Sequence, residues 1–332
     1  MRLVQSNWRG TDSSHGSQRW KRPMRQCDPV QAVRTFLKEN DIRNVSVTAA
    51  LSGGADSVCL LYCLLQCRTR FELSISALHV QHNLRGTESV RDENFCRALC
   101  ADWDVPLTVV SVDVAAMQEN GMSTEEAARE CRYRVFACHK SDYIATAHTA
   151  SDNFETMLFR LARGTGLKGL SGIPPQRERY LRPLLRVTRE QVENCLRVQG
   201  IAYVTDSSNL TDDYTRNFLR HQVVPLLREQ NPALDRTAAE TAEILRTEED
   251  FLSQAAQAAY TAARQPDGSL IGLSTLHPAL QRRCIRLFLE AHGLSGRYTA
   301  VTTVQALLAQ GGRVELNRDG VWVCVSRGGL FI

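Results

Sequence analysis

The stretch Val45-Ser46-Val47-Thr48-Ala49-Ala50-Leu51-Ser52-Gly53-Gly54-Ala55-Asp56-Ser57 decides the fold. Val45, Val47, Ala49 and Leu51 alternate with smaller or polar residues, the run stops at Ser52-Gly53-Gly54, and Val58-Cys59-Leu60-Leu61 resumes the apolar pattern. This is a short buried strand, a glycine turn and a helix. Such a junction suits an anion. Two adjacent glycines allow positive φ and a close backbone approach, while the free N–H groups and positive dipole end of the next helix point at the ligand. Ser52 and Ser57 add hydroxyl donors, and the carboxylate of Asp56 would repel a bare phosphate but can hold a magnesium ion bridging to one. The expected ligand is a nucleotide with its metal. Neither a Walker loop nor GxGxxG is present, so the usual kinase and dinucleotide classes are excluded.

Outward from this stretch the alternation is regular. Strands are expected at about 45–51, 73–80, 107–112 and 142–147, with helices at about 55–68, 89–103, 123–140 and 152–163. Four βα units of this spacing predict an α/β fold, a Rossmann-like parallel sheet with right-handed crossovers and helices on both faces. Ligands in such sheets sit beyond the carboxyl ends of the strands. The informative residues are therefore Ser52–Ser57, then His79 to Arg85, then His148 to Thr156. Asp152 and Glu155 lie three apart at a helix start and share a face. They also suit the helix dipole, with Thr149 and Asp152 forming a capping box. Ser123 to Tyr133 reads as a capped helix presenting Arg129 and Arg132.

The 332-residue chain carries a formal charge of +4, and its basic residues are local. Residues 1–26 hold six basic residues against Asp12, and polar composition without period predicts a disordered basic tail over 1–28, with Met24 an alternative start. From Thr156 to Arg189 the basic residues are Arg160, Arg163, Lys168, Arg177, Arg179, Arg182, Arg186 and Arg189 against Glu178, a net +7 suited to phosphate backbones. Eleven cysteines include no CxxC pair, and Cys59, Cys63, Cys67 and Cys96, Cys100 recur at helix-face spacing, so buried reduced thiols are expected. No apolar run approaches the roughly 20 residues of a membrane span, which predicts a cytoplasmic protein with no membrane partner. Pro225, Asn231 and Pro232 mark a boundary between a catalytic domain at 29–230 and a smaller, mostly helical α+β domain at 231–332. In the latter, a long helix at 233–264 precedes short strands at 313–316, 321–325 and 329–332.

SGGADS resembles the loop of the N-type ATP pyrophosphatases, the PP-loop enzymes. The run from Leu51 to Leu227 is similar to the bacterial tRNA(Ile)-lysidine synthetases through LSGGADS, HVQHNLRG, STEEAARECRYRVF, AHTASDNFETMLFRLARGTGLKGL, LRPLL and DSSNLTDDYTRNFLR, in order and spacing. Gln81 and Asn83 depart from the family's usual residues in the second segment. The resemblance implies a ligase that uses ATP and Mg2+ to adenylylate the C2 carbonyl oxygen of the wobble cytidine (C34) of tRNA(Ile) with anticodon CAU. The amine of free L-lysine then displaces AMP, giving lysidine and changing codon pairing from AUG to AUA. It implies nucleotide binding by Ser52, Gly53, Gly54, Ala55, Asp56, Ser57 and His79, with Asp56 the metal carboxylate. Arg129, with Arg132 in reserve, would stabilise developing charge, and Asp152 and Glu155 would receive lysine. Arg160, Arg163, Lys168, Arg182, Arg216, Asn217 and Arg220 would hold tRNA, the C-terminal domain would recognise it, and a homodimer is compatible with this scheme. The shorter family members are the better match in length. The alternatives are another PP-loop tRNA-modifying enzyme, a thiolase, or a non-catalytic nucleotide- or RNA-binding relative.

Overall fold

The computed structural model describes residues 28–82, 87–117, 122–205, 217–316, 321–326 and 329–332. The expected tail at 1–28 therefore lies outside the described residues but for its last position. So does the whole DSSNLTDDYTR segment, Arg216 included.

Helix α1 (Asp28–Glu39) delivers the chain to strand β1 (Ser46–Ala50). Val47 and Ala49 are fully buried, as is Thr48 between them, which marks a central strand covered on both faces. Helix α2 (Ala55–Phe71) is apolar nearly all round and packs into that cover. It is followed by β2 (Ser74–Gln81), α3 (Thr87–Asp102), β3 (Leu107–Ser111), the short α4 (Val114–Met117), α5 (Thr124–Cys138) and β4 (Tyr143–Ala145). Next come α6 (Ala150–Ala162), α7 (Leu167–Leu170), β5 (Gln176–Arg177), β6 (Tyr180–Leu181) and α8 (Arg189–Gln199).

The sheet order is β3-β2-β1-β4-β6-β5. All pairs are parallel except the hairpin β5–β6, so the expected four-strand parallel sheet is present with an added antiparallel edge. One sheet face buries Val47, Ala49, Leu51 and Ala77 with Leu60, Leu64 and Leu196 of the helices. On the other face Phe136 of α5 packs with Leu78 and Ile144, and its ring meets Tyr133 at 5.7 Å between centroids. Because β2 and β4 flank β1 on opposite sides, the connections diverge at β1. The crevice beyond the ends of β1 and β4 is the switch point where doubly wound sheets bind ligands.

After α8 the described chain resumes with a π-helical turn, Leu219–Val223, that runs into α9 (Val224–Gln230). Helix α10 (Leu234–Ala263) contains the division between two compact units, which falls between Glu243 and Ile244 rather than ahead of the helix at residue 230. The second unit continues with β7 (Leu270–Ile271), α11 (Pro278–Ala291), α12 (Tyr298–Gln310), β8 (Gly312–Glu315), β9 (Trp322–Ser326) and β10 (Gly329–Phe331). Its four-stranded antiparallel sheet, ordered β7-β10-β9-β8, turns Val323, Val325 and Leu330 onto Phe288, Leu289 and Val304.

Nine described cysteines are free thiols, seven of them buried as expected, while Cys138 is exposed and Cys324 half-buried. Cys195 departs from the expectation, being disulfide-bonded. Among the described residues no helix is long and apolar enough to cross a membrane.

Candidate nucleotide site

The loop after β1 is shaped by its two hydroxyls. Ser57 Oγ donates to the Gly54 carbonyl at 2.9 Å and accepts from the Ser52 N–H at 3.2 Å, and the two Oγ atoms lie 3.1 Å apart. Only one of the two glycines uses its conformational freedom. Gly53 has φ +89°, and a Cβ there would lie 3.3 Å from the Phe95 ring, whereas Gly54 has an ordinary φ of −71°. Gly54 is the N-cap of α2 and supplies no side-chain cap, which leaves first-turn N–H groups for an anion. Val204 N–H donates to the Gly53 carbonyl at 2.9 Å, so a segment far along the chain braces the loop.

Asp56 stands in the first turn of α2. Its Oδ2 accepts from Arg189 Nη1 at 2.6 Å, while Oδ1 is buried with no hydrogen-bond partner among the described residues. Burial raises its carboxyl to about 6, the carboxylates of Asp152 and Glu193 push the same way, and Arg189 opposes them. An orphaned, hard carboxylate oxygen beside an anion-binding loop fits Mg2+, which is commonly held by one or two carboxylates together with substrate phosphates.

The second wall comes from the end of β4. Thr149 caps α6 in the expected capping box, with Asp152 Oδ2 accepting from the Thr149 N–H at 2.7 Å and from its hydroxyl at 2.9 Å. Capping uses that oxygen alone among the described contacts. Its Oδ1 remains for a ligand. His148 bonds the Thr146 hydroxyl at 3.0 Å. Burial drives its imidazole down to about 4, against the pull of Asp152 and with the guanidinium charges of Arg182, Arg129 and Arg132 adding to the fall. The imidazole is therefore neutral at physiological pH, and these five side chains share one electrostatic neighbourhood. Arg129 also lies 5.1 Å over the Tyr133 ring.

Glu155, almost buried, pairs with Arg220 of the π-helical turn at 3.5 Å. The geometry thus joins a residue expected to meet lysine with one expected to meet tRNA. Asn217, two residues ahead of that turn, is half-buried. His79 is buried, and its Nδ1 lies 2.8 Å from the Leu51 carbonyl; a carbonyl only accepts, so Nδ1 carries the proton and the ring pins β2 to the loop's root. In the basic run, Arg160 donates to the Gly169 and Gly172 carbonyls and Arg182, 5 % exposed, donates to Pro174 O. Arg179 holds His139 O, and Arg186 bridges Glu39 and Glu243. Arg163 and Lys168 stay exposed, Arg163 stacked 4.7 Å from the Phe159 ring centre.

The PP-loop domain model matches residues 28–227. This chain belongs to the PP-loop family. A second family model, the TilS substrate binding domain, matches residues 269–331. The tRNA(Ile)-lysidine synthase of Geobacillus kaustophilus is 36 % identical over 276 residues, covering 78 % of this chain and 60 % of that protein. That of Porphyromonas gingivalis is 43 % identical over 234 residues, covering 68 % and 51 %. The chain spans about half the length of the curated relatives it matches. Among solved structures, the U34-tRNA thiolase of Methanococcus maripaludis, with its [4Fe-4S] cluster, superposes with a TM-score of 0.55 at 16 % identity, covering 66 % of this chain and 79 % of that one. At that identity the likeness is one of fold.

Proposed function

We propose that this PP-loop chain ligates free lysine to C2 of the wobble cytidine of tRNA(Ile) bearing anticodon CAU, in two steps: adenylylation by ATP, then displacement of AMP. The observation that carries the reading is that Asp152 at the start of α6 lies close enough to the loop to act electrostatically on Asp56 across the switch-point crevice. The curated relatives, named lysidine synthases, and the matched C-terminal domain support the choice of substrate.

In this reading the loop N–H groups and the Ser52 and Ser57 hydroxyls hold the departing diphosphate. Asp56 would hold Mg2+, which neutralises charge on the phosphates when bound. Arg129 and Arg132, at the crevice rim with His148, stabilise charge as the α-phosphorus is attacked. Lysine arrives as a cation and must attack as a neutral amine. Asp152 Oδ1 and Glu155 receive its ammonium, Glu155 exchanging Arg220 for it. Arg220, Arg163 and Lys168 are the exposed cations for tRNA phosphates, while Arg160 and Arg182 serve the wall they are bonded into. Neutral His148 adds no positive charge to oppose lysine's entry.

The thiolase reading needs a CxxC pair, a cluster or a reactive thiolate to carry sulfur; the chain has no CxxC pair, and among the described residues no group of three His, Cys, Asp or Glu could hold a metal. Burial pushes the Cys96 thiol up to about 12 and Cys67 and Cys100 up to about 11, the wrong direction for sulfur chemistry. The test is ATP-dependent incorporation of labelled lysine into a tRNA(Ile) transcript with anticodon CAU. Wild type should incorporate it, and Asp56→Asn and Asp152→Asn should not. Pyrophosphate release with tRNA but no lysine incorporation would overturn the proposal in favour of another PP-loop modification.

A further inference from the structure

In the sequence Arg189 is one more charge in a basic run. In the structure it begins α8, is half-exposed, and reaches back 133 residues to Asp56. Its guanidinium is fixed from two sides: Nη1 donates to Asp56 Oδ2 at 2.6 Å and Nε to Glu193 Oε1 at 2.9 Å. Nη2 has no hydrogen-bond partner among the described residues. The surroundings of Asp56 are otherwise acidic, with Asp152 and Glu193 both acting on it. A loop built to receive a polyphosphate thus has one guanidinium bonded directly to its own acid, oriented by a second acid and with a donor to spare. A planar fork held in this way suits phosphate oxygens, because little orientational freedom remains to be lost on binding.

We propose that Arg189 binds the diphosphate end of the nucleoside triphosphate and stabilises it as it leaves. The proposal rests on the adenylylation reading and adds a residue to that site. In the transfer step the bond from the α-phosphorus to the oxygen bridging it to the β-phosphorus breaks. A bond from the cytidine C2 oxygen to the α-phosphorus forms, and the electron pair of the broken bond stays on the diphosphate. The charge that grows there is the charge Arg189 faces. Its pairing with Asp56 in the free enzyme has a second effect: the guanidinium is kept beside the loop rather than out in solvent.

The experiment is calorimetric titration of the full chain with inorganic pyrophosphate and, separately, with AMP, both at fixed Mg2+, for wild type, Arg189→Gln and Arg189→Lys. Losing a charge-assisted contact to phosphate should weaken pyrophosphate binding about tenfold or more in Arg189→Gln. AMP, which lacks the diphosphate, should change less than about twofold. Arg189→Lys keeps the charge but not the fork and should lose about threefold for pyrophosphate alone. Unchanged pyrophosphate affinity in Arg189→Gln, or equal losses for both ligands, would overturn the proposal. If Arg189→Gln does not fold, Arg189→Lys decides: selective loss supports the assignment and unchanged affinity refutes it. Wild type that binds neither ligand would refute the underlying nucleotide reading instead.

Discussion

Asp56 is under two opposed demands, to be ionised for a metal and to be buried for the loop. Its folded carboxyl titrates near 6, against an ordinary value of 3.8, so the native chain binds that proton more tightly than the unfolded chain does. The stability this group contributes is therefore fully present below about pH 4 and is lost as pH rises through about 6. At pH 7.5, without nucleotide, the ionised carboxylate costs the fold on the order of 2 to 3 kcal/mol, at about 1.4 kcal/mol per unit of displacement. Asp56→Asn should resist urea better than wild type at pH 7.5, with the advantage shrinking toward pH 4, and should still fail to adenylylate tRNA. Urea midpoints at the two pH values test this, and an Asn variant less stable than wild type at pH 7.5 would refute it. Glu155 offers the converse case. Its partner Arg220 is half-exposed, so Arg220→Ala should cost only about 1 kcal/mol by removing that ion pair from a nearly buried acid. In a double-mutant cycle with Glu155→Gln, the Arg220→Ala penalty should largely vanish. A penalty of the same size on the Gln background would mean that the pair is not the cause.

Elements carry the next set of constraints, and here the sequence is most informative. The alternation Val45 to Leu51 followed by a glycine pair identifies strand, turn and helix because each signal is local: period two, φ freedom, renewed apolar run. The capping box at Thr149 and Asp152 is legible for the same reason. What the sequence does not carry is any contact between distant segments. Val204 bracing Gly53, Arg189 meeting Asp56, and Arg220 reaching Glu155 from a π-helical turn have no local signal, since each partner is exposed to a choice made only when the chain folds. The basic run misleads for a related reason: most of its arginines satisfy carbonyls and carboxylates that sequence order does not place beside them. The glycine pair itself divides. Gly53→Ala forces a side chain onto positive φ and against Phe95 and should cost about 1 to 3 kcal/mol along with nucleotide binding. Gly54→Ala meets nothing closer than 3.6 Å and should be near neutral in stability. Thermal midpoints of the two variants measured together give the contrast, and equal losses would mean both positions are strained. On α6, fully buried Asn153 accepts from Ile173 N–H at 2.6 Å and touches the only side of Gly172 a Cβ could occupy. Asn153→Ala leaves that N–H unsatisfied, a loss of about 1 to 3 kcal/mol. Amide exchange should show the protection of Ile173 falling ahead of that of β1 and β4. Uniform loss across the sheet would refute a local anchor.

At the scale of the molecule, two cores with no residue in common divide the labour. One surrounds β1 and α2, in the unit that carries every residue proposed for nucleotide and lysine. The other surrounds Phe288 and Val304 and lies in the segment that matches a substrate-binding domain. A lesion confined to the second core should therefore separate binding of nucleotide from use of tRNA. Phe288 is 1 % exposed, and Phe288→Ala removes most of a ring from a core of fifteen buried residues, a cost of about 3 to 5 kcal/mol. That is a large share of what a small unit has to spare, so the second unit should melt first, giving two unfolding transitions in place of one. Pyrophosphate and AMP affinities should stay within about twofold of wild type at temperatures between the two transitions, while lysine incorporation into tRNA falls at least about tenfold, because the segment that matches a substrate-binding domain is no longer ordered. Calorimetric scans with and without nucleotide supply the decisive comparison. Nucleotide should raise only the upper transition, since it binds the unit that melts there. A nucleotide-dependent shift of the lower transition would place part of the nucleotide site in the second unit and overturn the division argued from the cores.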